Sequence, residues 1–262
     1  MDNINSILKF RDLEEGILEI KLNRPGSLNA LNSNVLKFLY EKLLEIKNNK
    51  KIKAIILTGE GKAFSAGADV QQLQELKGQS GIEFAKSGQK VFNLLEQLGK
   101  PSLSAINGYA LGGGLELSMA TTIRIASSNA IFGQPEIKLG VIPAFGGTQR
   151  LARLIGKGRA LDICLTGRTI KSEEALSFGL ITEITFLDDL LDRAVQTLKN
   201  IISYSSLAQT SIISTIDNGY NLSLQEGMEL EAAYFGLCCA TKDKNEGVNA
   251  FLEKRVAVFT GE

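Results

Sequence analysis

The chain has 262 residues, 44% of them hydrophobic, with 29 basic residues against 29 acidic, so one large domain or two smaller ones can bury a sizeable core. It contains no histidine, which excludes serine–histidine–aspartate triads, cysteine–histidine dyads and histidine-rich zinc sites and leaves acid/base work to Glu, Asp, Lys, Tyr or Cys. The balanced charge argues against a basic nucleic-acid-binding surface, and the odd trio Cys164, Cys238 and Cys239 points to free thiols in a reducing compartment rather than a disulfide framework.

The opening MDNINSILKFRD has no basic start leading into a long apolar stretch. No signal peptide or membrane span is therefore expected, and the expected location is cytoplasmic. Ser6 to Phe10 and Gly16 to Leu22 read as the strands of a hairpin joined by the polar segment Arg11 to Glu15. Asn23 to Leu31, with Pro25-Gly26, is a loop. Asn32 or Ser33 caps a helix to about Asn48, because Val35, Leu36, Leu39, Leu43 and Ile46 recur at helical spacing. Lys53 to Thr58 reads as a buried strand. Gly59 to Asp69 is then a glycine-rich loop into a helix near Val70 to Leu76, and its small residues leave room for a ligand along the backbone. It matches neither GxGxxG opening a helix nor GxxxxGK[ST]. Asp69 reads as a helix cap rather than a catalyst. Residues 81–98 form another amphipathic helix.

Residues 101–150 hold three of the four prolines and two glycine clusters. Ser102 to Asn107 reads as a strand, Gly108 to Gly114 as a tight turn, and Leu115 to Ala120 as the body of a helix. The first N–H groups of such a helix have no internal partner and lie at the positive end of its dipole. They suit an anion or a developing oxyanion. Glu116 falls in the first turn, where the bland alternative is a dipole contribution of about 0.3–1 kcal/mol and no chemistry. Glu136 sits in Phe132-Gly133-Gln134-Pro135-Glu136, a turn stiffened by Pro135. The bland alternative there is a solvated loop acid. Two glutamates on stiff, glycine-flanked backbone in an apolar region predict a buried pair with at least one pKa raised toward neutrality.

Beyond this window the chain reads as helices at Gly147 to Leu154, Gly158 to Thr166, Ser172 to Phe178, Leu187 to Ser203, Ser206 to Asn218, Ser223 to Ala240 and Asp243 to Phe259, with one strand at Leu180 to Thr185. The expected organisation is a mixed α/β core over residues 1–200 that carries the site, and an all-helical region over 201–262 that packs on the core or on another subunit.

KAFSAGAD at 62–69, NGYALGGGLELSMATTIRIAS at 107–127, FGQPEIKLGVIP at 132–143, GGTQRL at 146–151, LTGRTIKSEEALSFGLI at 165–181 and FLEKR at 251–255 resemble the enoyl-CoA hydratase (crotonase) family over nearly the whole chain. The resemblance implies an α/β fold, a spiral of ββα units with a helical C-terminal region, assembled as a homotrimer or homohexamer. It also implies an acyl-CoA thioester as substrate, with CoA as part of that substrate and no further cofactor or metal. The implied oxyanion hole is made by the backbone amides of Ala68 and Gly113. Both glutamates are present in GGGLE and GQPE, as in relatives that hydrate a 2-enoyl-CoA: Glu116 is then mainly the base for water attacking C3, and Glu136 mainly the acid toward C2.

Leu28, Ala30, Ala66 and Val70, with Ala68, match positions lining the pantetheine and adenine sites. Phe251 and Lys254 match a C-terminal pair reaching a neighbouring subunit's CoA; Lys254 reads equally as a surface lysine. Relatives often carry a basic residue where this chain has Gly26, which leaves Arg24 or Lys62 as candidates for a phosphate contact. Leu115, Leu139, Val141 and Phe145 flank the glutamates and are expected to shape the acyl pocket, Phe145 equally reading as core, and a phenyl ring there favours a short acyl chain. The rivals are a Δ3,Δ2-enoyl-CoA isomerase, which needs one glutamate, a hydratase for a branched or aromatic-derived acyl group, and a non-catalytic acyl-CoA- or RNA-binding relative.

Overall fold

The computed structural model describes residues 7–262; Ser6, the expected start of the first strand, lies outside them. Strands β1 (Leu8–Asp12) and β2 (Ile17–Leu22) form the expected antiparallel hairpin, with Leu8 opposite Leu22. Helix α1 (Ser33–Asn48) follows, capped by Asn32, whose Oδ1 accepts from the Val35 amide at 3.0 Å. Its buried residues are Val35, Leu36, Leu39, Leu43 and Ile46, one stripe at helical period. Each such aliphatic side chain contributes roughly 1.5–3 kcal/mol by leaving water.

From β3 (Ala54–Gly59) onward the chain winds as a spiral. β3 leads into the short β4 (Ala63–Ser65), followed by α2 (Val70–Glu75) and α3 (Gly78–Glu96). β5 (Ser102–Ile106) leads into β6 (Tyr109–Leu111) and α4 (Gly113–Met119), and β7 (Ile123–Ser127) leads into β8 (Ile131–Gly133), α5 (Gly147–Ile155) and α6 (Lys157–Thr166). β9 (Thr169–Lys171), α7 (Ser172–Ser177), β10 (Glu183–Thr185) and α8 (Leu190–Ile202) complete the core. The first strand of each turn joins a six-stranded sheet of order β1-β2-β3-β5-β7-β10, and the second joins a four-stranded sheet of order β4-β6-β8-β9. Except for the β1 hairpin and β9, neighbouring strands run parallel, which matches the repeated forward winding.

The inner strands β3 and β5 of the large sheet are buried along their whole length, so β3 reads as an apolar run. Ile55 and Leu57 of β3 point into the main core beneath α1 and α3, while Ala54 and Ile56 point to the opposite face, which Leu190, Ala194, Leu198 and Ile202 of α8 cover. Strands β4, β6, β7, β8 and β9 are absent from the sequence reading. Four of them have three residues each, too short to show a period, and are set by their partners in the second sheet.

The C-terminal region is helical, as expected: α9 (Ser206–Gly219), α10 (Leu224–Cys239) and α11 (Lys242–Glu253). It is tied to the core by Thr210, whose hydroxyl donates to the Gly99 carbonyl at 2.7 Å, and by Tyr220, whose hydroxyl donates to the Arg153 carbonyl at 3.2 Å. The expected helix to Phe259 stops earlier. Lys254 turns left-handed at φ 56°, and Glu246 accepts from both the Arg255 guanidinium at 2.6 and 2.9 Å and the Val258 amide at 2.8 Å, which folds the tail back on α11.

Candidate active site

Two strand-to-helix turns of consecutive spiral units meet at the site. After β4 the chain passes through Gly67 at φ 103°, a conformation that side chains disfavour, and a Cβ there would lie 2.9 Å from the Leu111 carbonyl oxygen. The turn is anchored on the first loop: the Ala66 amide donates to the Leu28 carbonyl at 2.9 Å, Leu31 donates to Gly67 at 2.8 Å, and Asp69 donates to Leu31 at 2.9 Å. Asn29, buried and left-handed, donates to the carbonyls of Ala63 at 2.7 Å and Glu60 at 3.0 Å, while the Ser65 hydroxyl donates to the Asn29 carbonyl at 2.9 Å.

In the parallel bridge between Leu31 and Ala68 the Gly67 carbonyl and the Asp69 amide bind Leu31, so the N–H of Ala68 itself is not used. After β6, Gly112 at φ 50° begins α4, and the N–H of Gly113 is the first orphan donor of that helix. Neither amide has an acceptor among the described residues. A Cβ placed on Gly113 would be 3.4 Å from the Ala68 nitrogen, so the two donors flank one small space. Such a pair can hold one oxygen that gains negative charge.

Glu116 projects from α4 and is 1% exposed. Its Oε1 accepts from the amides of Phe145 at 2.8 Å and Gly147 at 2.5 Å, which aim the carboxylate. Burial, and then the Glu136 carboxylate, push its pKa up to about 8, against the lowering effect of those amides and of Arg150. Glu136 sits in a 3-10 turn, Pro135–Leu139, with Pro135 at its start. With the Gln134 amide turned so that its nitrogen faces the carboxylate, Gln134 donates to both Glu136 oxygens at 3.1 Å. Burial raises Glu136 to about 7. The Cys164 thiol nearby is pushed up to about 11 by burial and by both glutamates, which keeps it a neutral neighbour.

Ala68, Gly113, Glu116, Glu136 and Phe145 all line one cavity of about 330 Å³. Phe145 is fully buried and packs edge-on against Phe84 and Phe92, with ring centroids at 5.1 and 5.5 Å. Gly88 of α3 leaves room for that ring, since a Cβ there would lie 2.2 Å from it. Val141 lies on the cavity wall, whereas Leu139 does not line it.

Other expected site residues fall elsewhere. Leu115 is buried in the core and points away from the cavity. Leu28, Ala30, Ala66 and Val70 belong to the two loops beside the site but do not line the cavity. Phe251 and Lys254, exposed at the end of α11, line no part of it. Asp69 caps α2 and also pairs with Arg24 at 3.2 Å, and Arg24 donates to the Ala30 carbonyl at 2.6 Å. Arg24 thus ties the two loops together, while Lys62 is exposed. The sequence reading assigned nothing to Gln134, Asn29 or the Phe145 and Gly147 amides; Gln134 stood in the quoted turn, next to Pro135-Glu136. No group of three or more Cys, Asp or Glu able to hold a metal ion occurs among the described residues.

The geometry can be set beside known proteins. The enoyl-CoA hydratase/isomerase family model matches residues 12–262. The chain is 42% identical over 243 residues to the short-chain-enoyl-CoA hydratase of Clostridium acetobutylicum, covering 92% of this chain and 93% of that one. It is 42% identical over 247 residues to the crotonyl-CoA hydratase of Syntrophomonas wolfei, with 94% and 95% covered. Among solved structures, an enoyl-CoA hydratase from Bacillus anthracis superposes with a TM-score of 0.94 at 36% identity, over 98% of this chain and 100% of that chain. The spiral of paired strands, the helical C-terminal region and a match along almost the whole length agree, and the chain belongs to the enoyl-CoA hydratase/isomerase family.

Proposed function

We propose that this protein is an enoyl-CoA hydratase that adds water across the 2,3 double bond of a short-chain 2-enoyl-CoA to give the 3-hydroxyacyl-CoA. The observation that carries the reading is the convergence on one cavity of two raised-pKa glutamates and two acceptor-free backbone amides. The thioester carbonyl oxygen sits between the Ala68 and Gly113 amides, which stabilise the enolate-like charge formed when C3 is attacked; one such donor is worth ~2.7–4 kcal/mol.

Glu116, oriented by two amides, takes a proton from the water as its oxygen bonds to C3, and Glu136, oriented by Gln134, delivers a proton to C2. Atoms balance with water as the only co-reactant, and CoA takes part as the substrate's own carrier. Since the two carboxyls titrate as a pair, the assignment of base and acid between them is one description of a shared proton. A cavity of about 330 Å³ walled by Phe84 and Phe145 supports a short acyl group.

The same reading places residues 1–200 as the thioester-bearing part and 201–262 as the association surface of a homotrimer or homohexamer, through which Phe251 and Lys254 reach a neighbour's CoA. Leu28, Ala30, Ala66 and Val70 flank the CoA moiety along the two tied loops, and a cytoplasmic location belongs to the same proposal. The test is loss of the conjugated enoyl-thioester absorbance on adding crotonyl-CoA, with Glu116→Gln and Glu136→Gln in parallel. Turnover by the wild type that both variants lower by at least ~10²-fold supports it, in line with the usual contribution of acid/base groups. An inactive wild type refutes the short-chain reading, and a variant that still isomerises a 3-enoyl-CoA while failing to hydrate points to the isomerase.

A further inference from the structure

The loop that aims Glu116 is itself clasped from outside the cavity. Its residues 143–147 supply the Phe145 and Gly147 amides that bind Glu116 Oε1. On the far side the Phe145 carbonyl accepts from the Arg150 guanidinium at 3.2 Å. Arg150 is in turn fixed on α3: its Nε and one terminal nitrogen bind the two Glu96 carboxylate oxygens at 3.1 and 2.7 Å, and that same nitrogen binds Asn93 Oδ1 at 2.7 Å. The guanidinium side chain is 12% exposed. Gly146 makes room for it, since a Cβ there would lie 2.3 Å from the guanidinium. A second bond from α3, Gln89 to the Ala144 carbonyl at 2.8 Å, holds the preceding residue of the loop.

We infer that Arg150 is a positioning residue for Glu116: locked to Glu96 and Asn93, it fixes the Phe145–Gly146 peptide, which lies between the two amides that orient the Glu116 carboxylate. A two-pronged charge-assisted pair sets direction as well as distance, and lysine cannot reproduce that fork. Orientation matters because a misplacement of an ångström at a reacting group can cost about a hundredfold in rate. The inference rests on the two-glutamate reading above. It adds a charge effect with a definite sign. Glu116 faces Glu136, the Cys164 thiol and the Arg150 charge, while Arg150 faces Glu96 and, from α9, Asp217. Taking the cation away raises the pKa of Glu116.

The experiment compares Arg150→Met, Arg150→Lys, Glu96→Gln, Arg153→Met and Glu116→Gln in crotonyl-CoA hydration from pH 5 to 10, each checked for folding by its thermal transition. For Arg150→Met, kcat is expected to fall roughly tenfold to a hundredfold, with KM within about twofold of wild type. The pH limb belonging to Glu116 moves upward. Arg150→Lys recovers the limb and part of the rate. Arg153→Met, on the same helix but bonded to Gln149 and Asn221, stays at wild type. A merely structural arginine would lower the melting temperature and leave the profile in place, and that result overturns the inference. If Arg150→Met does not fold, Glu96→Gln decides: a lower kcat with unchanged KM supports the clasp, and a wild-type kcat refutes it. Activity retained in Glu116→Gln overturns the two-glutamate reading itself.

Discussion

Glu116, buried, and Glu136, half-buried, are carboxyls whose charged forms the protein disfavours, and this has consequences for rate and for stability. With the pair at about 8 and about 7, the singly protonated state that the mechanism requires dominates near neutral to mildly alkaline pH. The pH profile of kcat/KM, which reports the free enzyme, is expected to be a bell with its maximum in that region. A flat profile from pH 5 to 9 would refute the assignment. Stability runs the other way from a normal salt-bridged acid. The folded pKa of Glu116 lies above its unfolded value near 4.5, so the native state binds more protons between those limits and stability falls as pH rises through them. Glu116→Gln removes that loss, so its melting temperature is expected to exceed wild type by more at pH 8 than at pH 5; an equal gap at both sinks the burial argument. These two acids were legible from sequence because each sits on backbone that Gly or Pro makes special. Asn29 and Arg150 were not, because their roles come from partners brought in by folding: Asn29 meets Ala63 across a loop and Arg150 meets Glu96 on another helix; Gln134 is local to Glu136, and its role shows only in the conformation of the turn they share.

At the scale of elements, the site depends on two turns that must approach closely. Gly67 takes a φ of 103° and leaves only 2.9 Å between a Cβ and the Leu111 carbonyl, so Gly67→Ala pushes the Ala68 amide off its line with Gly113. The expected result is a fall in kcat of ~10²–10³-fold, the usual effect of losing one oxyanion donor, with the fold retained. Gly26→Ala is the control, since nothing lies within 4 Å of that position and it has no left-handed φ. Equal effects of the two would refute the oxyanion role of this turn. The long helices were readable because a buried stripe such as Val35 to Ile46 repeats at the helical period. The strands of the second sheet were not: each is three residues long, and β4 is a strand only because β6 lies beside it.

For the whole molecule, the spiral explains why one chain can build the reacting centre but leaves its C-terminal helices with a large apolar outer surface. Leu224 is 81% exposed, Phe235 70% and Phe251 83%, and the proposal above reads these helices as the surface through which copies of the chain associate. Family resemblance made the spiral legible where periodicity did not, since the winding lies in the pairing of strands far apart in sequence. Phe251 and Lys254 stand outside the cavity of their own chain, and the proposal above has them reach the CoA of a neighbouring copy. Two outcomes follow from that proposal. In sedimentation the protein is expected to run as a trimer or hexamer, and Phe251→Glu, which places a charge on the exposed apolar face, shifts it toward monomer. Lys254→Ala is expected to raise KM for crotonyl-CoA a few-fold with kcat near wild type, since an exposed ion pair contributes up to ~1 kcal/mol, and the difference shrinks as salt screens the pair. A monomer in solution, with full activity and a wild-type KM in both variants, would show that the helical region serves neither assembly nor CoA binding.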